Sequence, residues 1–172
     1  MGRVKRVEFV VIGEAEPLTL ASGTELGLHR SEENLKRVSA AAEKLSGMVS
    51  DSICFALYRA SHRSAKETAE ELLTDPWVAA HVVKPPLHSM RDLEDIAVKG
   101  GQKELDFRIE MRRLARDTTG KTPAGKQPGV VLIGGGPVSL EQITELTPLE
   151  LPSRVDTAEF VSVNRLIGSL ED

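Results

Sequence analysis

Three short turns hold the residue types in this chain that are capable of chemistry. Gly13-Glu14 follows the apolar run Phe9-Val10-Val11-Ile12. Ser61-His62-Arg63-Ser64 follows Ile53-Cys54-Phe55-Ala56-Leu57, and Gly134-Gly135-Gly136-Pro137 follows Val130-Val131-Leu132-Ile133. The second turn offers hydroxyls, an imidazole and a guanidinium, groups that serve proton transfer or hold an oxyanion. The third leads into Ser139-Leu140-Glu141-Gln142, where Ser139 and Gln142 have capping-box spacing for a helix through Ile143 to Leu146. A strand, a glycine turn and a helix N-terminus aim backbone N–H groups and a positive dipole end at one point above the sheet edge, a place that suits an anion. Glycines also serve plain tight turns that need positive φ, so the run by itself does not make a site.

The other titratable residues are weighed in the same way. His62 is the best local candidate for acid–base work, although a loop histidine is more commonly just solvated. His88 stands near Asp92 and could pair with it, whereas His29 and His81 have no recognisable partner. The acid-rich stretch Asp92, Glu94 and Asp95 is expected to be a solvated face. No histidine, cysteine or carboxylate spacing suggests a metal site, and no cofactor is implied.

The turns must be held by elements that the hydrophobic pattern outlines. Val7 to Ile12 becomes fully apolar from Phe9 on, and Ile53 to Leu57 and Val130 to Ile133 are apolar without alternation, the pattern of strands buried on both faces. Ser31 is expected to cap a helix carrying Leu35, Val38, Ala42 and Leu45 and ending at Gly47. A second helix buries Ala65, Thr68, Ala69 and Leu72 and stops before Asp75-Pro76. A third runs from Glu104 to Arg116 with Leu105, Phe107, Ile109, Met111 and Leu114 inward. The segment through Gly27 reads as loop, Met90 to Asp95 as an acidic loop, and Thr118 to Gly129 as an exposed connector. Val82-Val83 reads as a short strand, with Pro85-Pro86 barring regular structure after it. Thr157 to Val163 alternates like an edge strand.

Strands alternating with helices indicate an α/β fold: a three-layer α/β/α sandwich with a mostly parallel central sheet. In such sheets ligands sit beyond the carboxyl ends of the strands. That rule gathers all three turns around one crevice. At 172 residues a single domain, 1–172, is expected, with roughly 70% of its unfolded surface buried. A net charge of −4 argues against bulk nucleic-acid binding. One cysteine, Cys54, excludes an intramolecular disulfide, and no apolar run is long enough to span a membrane. A soluble cytoplasmic protein is expected.

The blocks Phe9-Val10-Val11-Ile12-Gly13-Glu14-Ala15-Glu16, Arg63-Ser64-Ala65-Lys66-Glu67-Thr68-Ala69-Glu70, Met90-Arg91-Asp92-Leu93-Glu94 and Ile133-Gly134-Gly135-Gly136-Pro137-Val138, in that order, resemble the histidine phosphatase superfamily (phosphoglycerate mutase-like). Members carry Arg-His-Gly after the first strand. A serine-rich turn with an arginine then opens a helix ending in Thr-Ala, a loop presents an acid, and a late strand ends in Gly-His-Gly-Pro-Val. The resemblance implies the phosphoglycerate mutase-like fold and a crevice made by Ile12, Gly13, Glu14, Arg63, Ser64, Gly134, Gly135 and Gly136. It also shows departures. Ile12 stands at the position of the phospho-accepting histidine, Val11 at its neighbouring arginine, Ser64 at the helix-opening arginine and Gly135 at the late histidine. Asp92 alone retains a plausible catalytic type.

An imidazole nucleophile carries the phosphoryl group in that family, and an isoleucine cannot. The chain is therefore expected to be a pseudoenzyme that binds a small molecule or protein partner in the former active-site crevice. One alternative is an enzyme with rewired acid–base chemistry on Asp92, Glu14 or His62. Another is a weak phosphatase that holds phosphate through Arg63 and Gly134 to Gly136.

Overall fold

A computed structural model describes residues 7–13, 15, 17–48, 52–98, 103–134 and 163–168. Five strands form one sheet: β1 (Val7–Gly13), β4 (Ile53–Arg59), β5 (Val82–Ser89), β6 (Gln127–Gly134) and β7 (Val163–Gly168). Their order is β5-β4-β6-β1-β7. The pairings β1–β6, β4–β6 and β4–β5 are parallel, and β7 runs antiparallel beside β1. The central strand is β6, whose Val130 to Ile133 are buried to within 1%. That explains its unbroken apolar run: both faces are covered, so no polar alternation is tolerated.

Among the described residues five helices cover the sheet: α1 (Glu32–Met48), α2 (Arg63–Leu72), α3 (Pro76–Ala80), α4 (Arg91–Val98) and α5 (Lys103–Lys121). Strand alternation separates the two covering layers. Phe55 meets Trp77 of α3 with ring centroids 6.3 Å apart. Tyr58, of opposite parity, lies against Thr118 of α5. Helix α1 touches both α2 and α3, and α4 touches α5. The chain is thus a three-layer α/β/α sandwich with a mostly parallel sheet.

Local causes are readable in several elements. Ser31 caps α1 by accepting from the Asn34 N–H at 3.2 Å. Asp75 caps α3, accepting from Trp77 and Val78 N–H groups, with Pro76 at the first helical position. On α2 the buried residues Ser64, Ala65, Thr68, Ala69 and Leu72 recur at helical spacing. Four of the five are small, which lets the helix axis approach the sheet closely.

Other elements correct the sequence reading. The segment through Gly27 is not a loop but a hairpin of β2 (Pro17–Thr19) and β3 (Glu25–Leu28). It docks on α2, where Glu67 accepts from the Leu28 N–H at 2.7 Å and from Arg63 Nε at 3.0 Å. Gly27 has φ +110°, and a Cβ there would lie 2.7 Å from Glu67 Oε2, so both backbone shape and space require glycine. Strand β5 passes straight through Pro85-Pro86, with a cis Lys84–Pro85 bond. An edge strand tolerates prolines because its outward N–H groups need no ladder partner, and the β4–β5 register shifts at this point. Residues 91–98 are helix α4, not loop. Helix α5 extends to Lys121, with Thr118 and Thr122 buried, so the expected connector shrinks to 122–126. Ile109 is 54% exposed rather than inward, while Met111 and Leu114 are core. Helix α1 runs one residue past Gly47. The described edge strand is Val163–Gly168; 157–162 and the helix expected after Ser139 lie outside the described residues.

The Glu67 contact carries a pH dependence. Burial raises its carboxyl pKa, but the Leu28 N–H and the Arg63 guanidinium outweigh burial and leave it below the ordinary 4.5. A depressed folded pKa contributes stability above the ordinary value that disappears as pH falls through the folded one. Acid titration of amide exchange is expected to release Leu28 N–H below about pH 4.5, and Glu67→Gln should flatten that dependence. Exchange at Leu28 that is independent of pH below that point would contradict the docking role.

Candidate functional site

Parallel pairing brings the carboxyl ends of β1, β6, β4 and β5 to one edge. There Ile12 pairs with Ile133, Ile133 with Arg59, and Arg59 with Ser89. The turns that follow are stitched to the edge through backbone bonds. Ala60 N–H donates to Ile133 O, and Met90 N–H donates to Arg59 O, each at 2.9 Å. Connections from β1, β4 and β5 place α1 to α3 on one face and α4 with α5 on the other. The reversal in strand order falls between β4 and β6, which is the topological switch where such sheets open a crevice.

Each residue singled out in the sequence has a definite place or falls outside the description. Ile12 and Gly13 end β1 and Gly134 ends β6, paired as Ile12 with Ile133 and Gly13 with Gly134. Ile12 is wholly buried, so it lies in the core beneath the edge and not in an open wall. Ser64 is also wholly buried, in the first turn of α2, with its hydroxyl 2.8 Å from His62 Nδ1. His62 is the N-terminal flanking residue of α2. Arg63 points along the exposed side of α2 to Glu67. Asp92 opens α4 on the edge side of β5, where its carboxylate is exposed and 3.4 Å from Arg113. Arg113 in turn binds Glu110 and Asp117, so Asp92 belongs to an acid-rich ion-pair cluster on the α4–α5 face. Glu14, Gly135 and Gly136 lie outside the described residues.

Three residues that the sequence did not assign to the site do structural work at this edge. Glu94 was expected on a solvated face but is 6% exposed, accepting from Ser61 N–H at 2.9 Å and from Ser61 Oγ at 2.7 Å. Helix α4 turns Glu94 toward the β4–α2 turn, a placement hidden when the segment reads as a loop. Thr68, fully buried, accepts from Ala15 N–H at 3.0 Å and donates to Ser64 O at 2.6 Å, tying the β1 turn to α2. Arg59 ends β4 partly buried; its Nη1 reaches Ala60 O at 3.4 Å, and its buried Nε has no hydrogen-bond partner among the described residues. The signal for Arg59 was a cation at the carboxyl end of an otherwise apolar strand.

The remaining histidines have structural roles. His88 does not pair with Asp92. It stacks on Tyr58 at 5.0 Å, and burial, followed by the Lys121 charge, lowers its pKa from the ordinary 6.5. His81 stacks on Trp77 at 4.1 Å and bonds its backbone oxygen. His29 accepts from Ser31 N–H through Nδ1 at 3.3 Å. Among the described residues no group of histidine, cysteine and carboxylates could hold a metal ion, and no helix is long and apolar enough to cross a membrane.

No family model and no curated protein matches the chain. Solved structures similar to it include a candidate phosphohistidine phosphatase SixA from Nakamurella multipartitia, at 12% identity and TM-score 0.46, covering 80% of this chain and 63% of that one. A candidate SixA from Agrobacterium tumefaciens is similar at 14% identity and TM-score 0.45, covering 81% of this chain and 75% of that one. Phosphoglycerate mutase from Plasmodium falciparum is similar at 12% identity and TM-score 0.37, covering 76% and 69%. The chain spans less than two thirds of the first of these.

Proposed function

We propose that this chain is a catalytically inactive, histidine-phosphatase-like domain that holds a ligand or partner in the crevice at the carboxyl edge of its sheet. The observation that carries this reading is Ile12. It stands where the resembled family has its phospho-accepting histidine, and it is 0% exposed, packed in the sheet core. A side chain with no lone pair, sealed from solvent, offers neither a nucleophile nor access to one. The neighbouring groups do not replace it. Ser64 is buried, Arg63 is held by Glu67, and Asp92 is held by Arg113.

Losing a covalent nucleophile costs several orders of magnitude in rate, so hydrolysis of small phosphomonoesters is expected at the buffer blank. A steady-state assay with p-nitrophenyl phosphate checks this. Robust turnover that disappears in His62→Ala or Arg63→Ala would overturn the inactive reading. The rewired-enzyme alternative draws on one observation: the exposed Ser61 donates its hydroxyl proton to the buried Glu94 carboxylate. Ester hydrolysis lost in Ser61→Ala would favour it.

A further inference from the structure

We propose that Arg59 is the anion-binding residue of this crevice and that its ligand is a small carboxylate. The inference rests on the reading of the carboxyl edge as a binding site and names the chemistry of what binds there. Arg59 is the last residue of β4, register-paired with Ile133 on one side and Ser89 on the other, beside the β4–β6 switch. Its backbone is fixed on both flanks, because its own carbonyl accepts from Met90 and the next N–H donates to Ile133 O. Its Nη1 donates to Ala60 O, the next carbonyl along the chain, at 3.4 Å.

The group is electrically incomplete. Three other arginines face acids: Arg63 pairs with Glu67, Arg30 with Glu71, and Arg113 with Glu110, Asp117 and Asp92. Arg59 has no carboxylate partner among the described residues, and its Nε is both buried and unbonded. A partly buried cation with an unsatisfied donor costs free energy, and an anion that displaces the atoms covering its Nε edge removes that cost. The planar fork of Nε and a terminal nitrogen matches the two oxygens of a carboxylate.

Charge selects the class of ligand. The Arg59 guanidinium supplies a single positive charge, Arg63 is already paired with Glu67, and the buried Glu94 carboxylate sits on the next turn at Ser61. A phosphate dianion would leave excess negative charge at this edge. A monoanionic carboxylate adds half that charge.

The test is ¹H–¹⁵N NMR of the Arg Nε–H signals of the full chain, titrated with sodium benzoate, sodium acetate, inorganic phosphate and sodium chloride at constant ionic strength. The expected result is a saturable shift of the Arg59 Nε–H with the two carboxylates, weaker with phosphate and absent with chloride. Arg59→Gln is expected to weaken benzoate binding about tenfold or more. Arg59→Lys, which keeps the charge but not the fork, should fall between the two. The wild-type Nε–H signal is read without any variant, so misfolding of Arg59→Gln leaves the test intact. Saturable carboxylate binding that survives Arg59→Gln would overturn the assignment while keeping the crevice as a binding site. Tighter phosphate binding at the Arg59 signal would overturn the carboxylate class. No shift with any anion, as when the chain's own acid already holds the guanidinium, would overturn the proposal outright. Failure of the inactive reading would appear elsewhere, as phosphomonoester turnover.

Discussion

Phe55→Ala is expected to lower the unfolding free energy by about 3–5 kcal/mol, and Gly129→Ala by about 1–3 kcal/mol. Phe55 is wholly buried in β4 and reaches both Trp77 of α3 and the bare backbone of Gly129 in β6. A Cβ on Gly129 would stand 2.6 Å from Phe55 Cδ1 and 2.7 Å from Cε1, closer than carbon atoms approach. A ring wedged in a full core cannot swing aside as a surface side chain can, so the added methyl must displace the strand pair. The same geometry predicts non-additivity. With Phe55 already shortened, Gly129→Ala fills space rather than clashing, and the double variant should be more stable than the two separate losses imply. Denaturant unfolding of the four proteins measures this. Simple additivity would mean that the ring and the glycine are not in contact. In a domain of this size each kcal/mol also moves Tm by about 2–4 °C, so the single Phe55 change should be visible in a melting curve.

A second large effect is expected at the site itself. Ile12→His together with Ser64→Arg returns the two residue types that the resembled family uses, and is expected to destabilise the chain by more than about 3 kcal/mol. Both positions are 0% exposed. The imidazole would lose water without a prepared partner, at about 1–3 kcal/mol, and a buried unpaired guanidinium costs more. Ser64 also sits where α2 lies close to the sheet, so a long side chain there must push the helix outward. Chemical denaturation of the double variant beside wild type gives the number. A folded variant of unchanged stability that binds phosphate would mean that a pocket lies open above Ile12, contrary to its burial.

The parts of this architecture that were legible in the sequence are those with one dominant cause. The three apolar strands read correctly because burial on both faces leaves a signature no surface element shares. Helix α2 read correctly because small and apolar residues recur at its inner face, and the break before Pro76 is steric. The carboxyl-edge cluster follows from strand direction alone, once β1, β4 and β6 are taken as parallel. What was not legible depended on tertiary partners. The hairpin β2–β3 has weak strand character of its own and is positioned by Glu67 on a helix 39 residues away. The prolines of β5 forbid a central strand but not an edge strand, and sequence does not tell which strand is at the edge. Glu94 looks like any solvated acid until α4 turns it toward Ser61. Ile109, apolar yet exposed, shows the converse: periodicity counts residue types, and only packing decides which side is inward.

The central claim is that no residue at the carboxyl edge accepts a phosphoryl group. The most direct measurement is intact-protein mass spectrometry after incubation with acetyl phosphate and with phosphoramidate, quenched under alkaline conditions that preserve phosphohistidine. An unmodified mass at every time point, with a known phosphohistidine-forming enzyme labelled in parallel, is the predicted result. A stoichiometric phosphoryl adduct mapped to His62 or to any other histidine of the chain would contradict it.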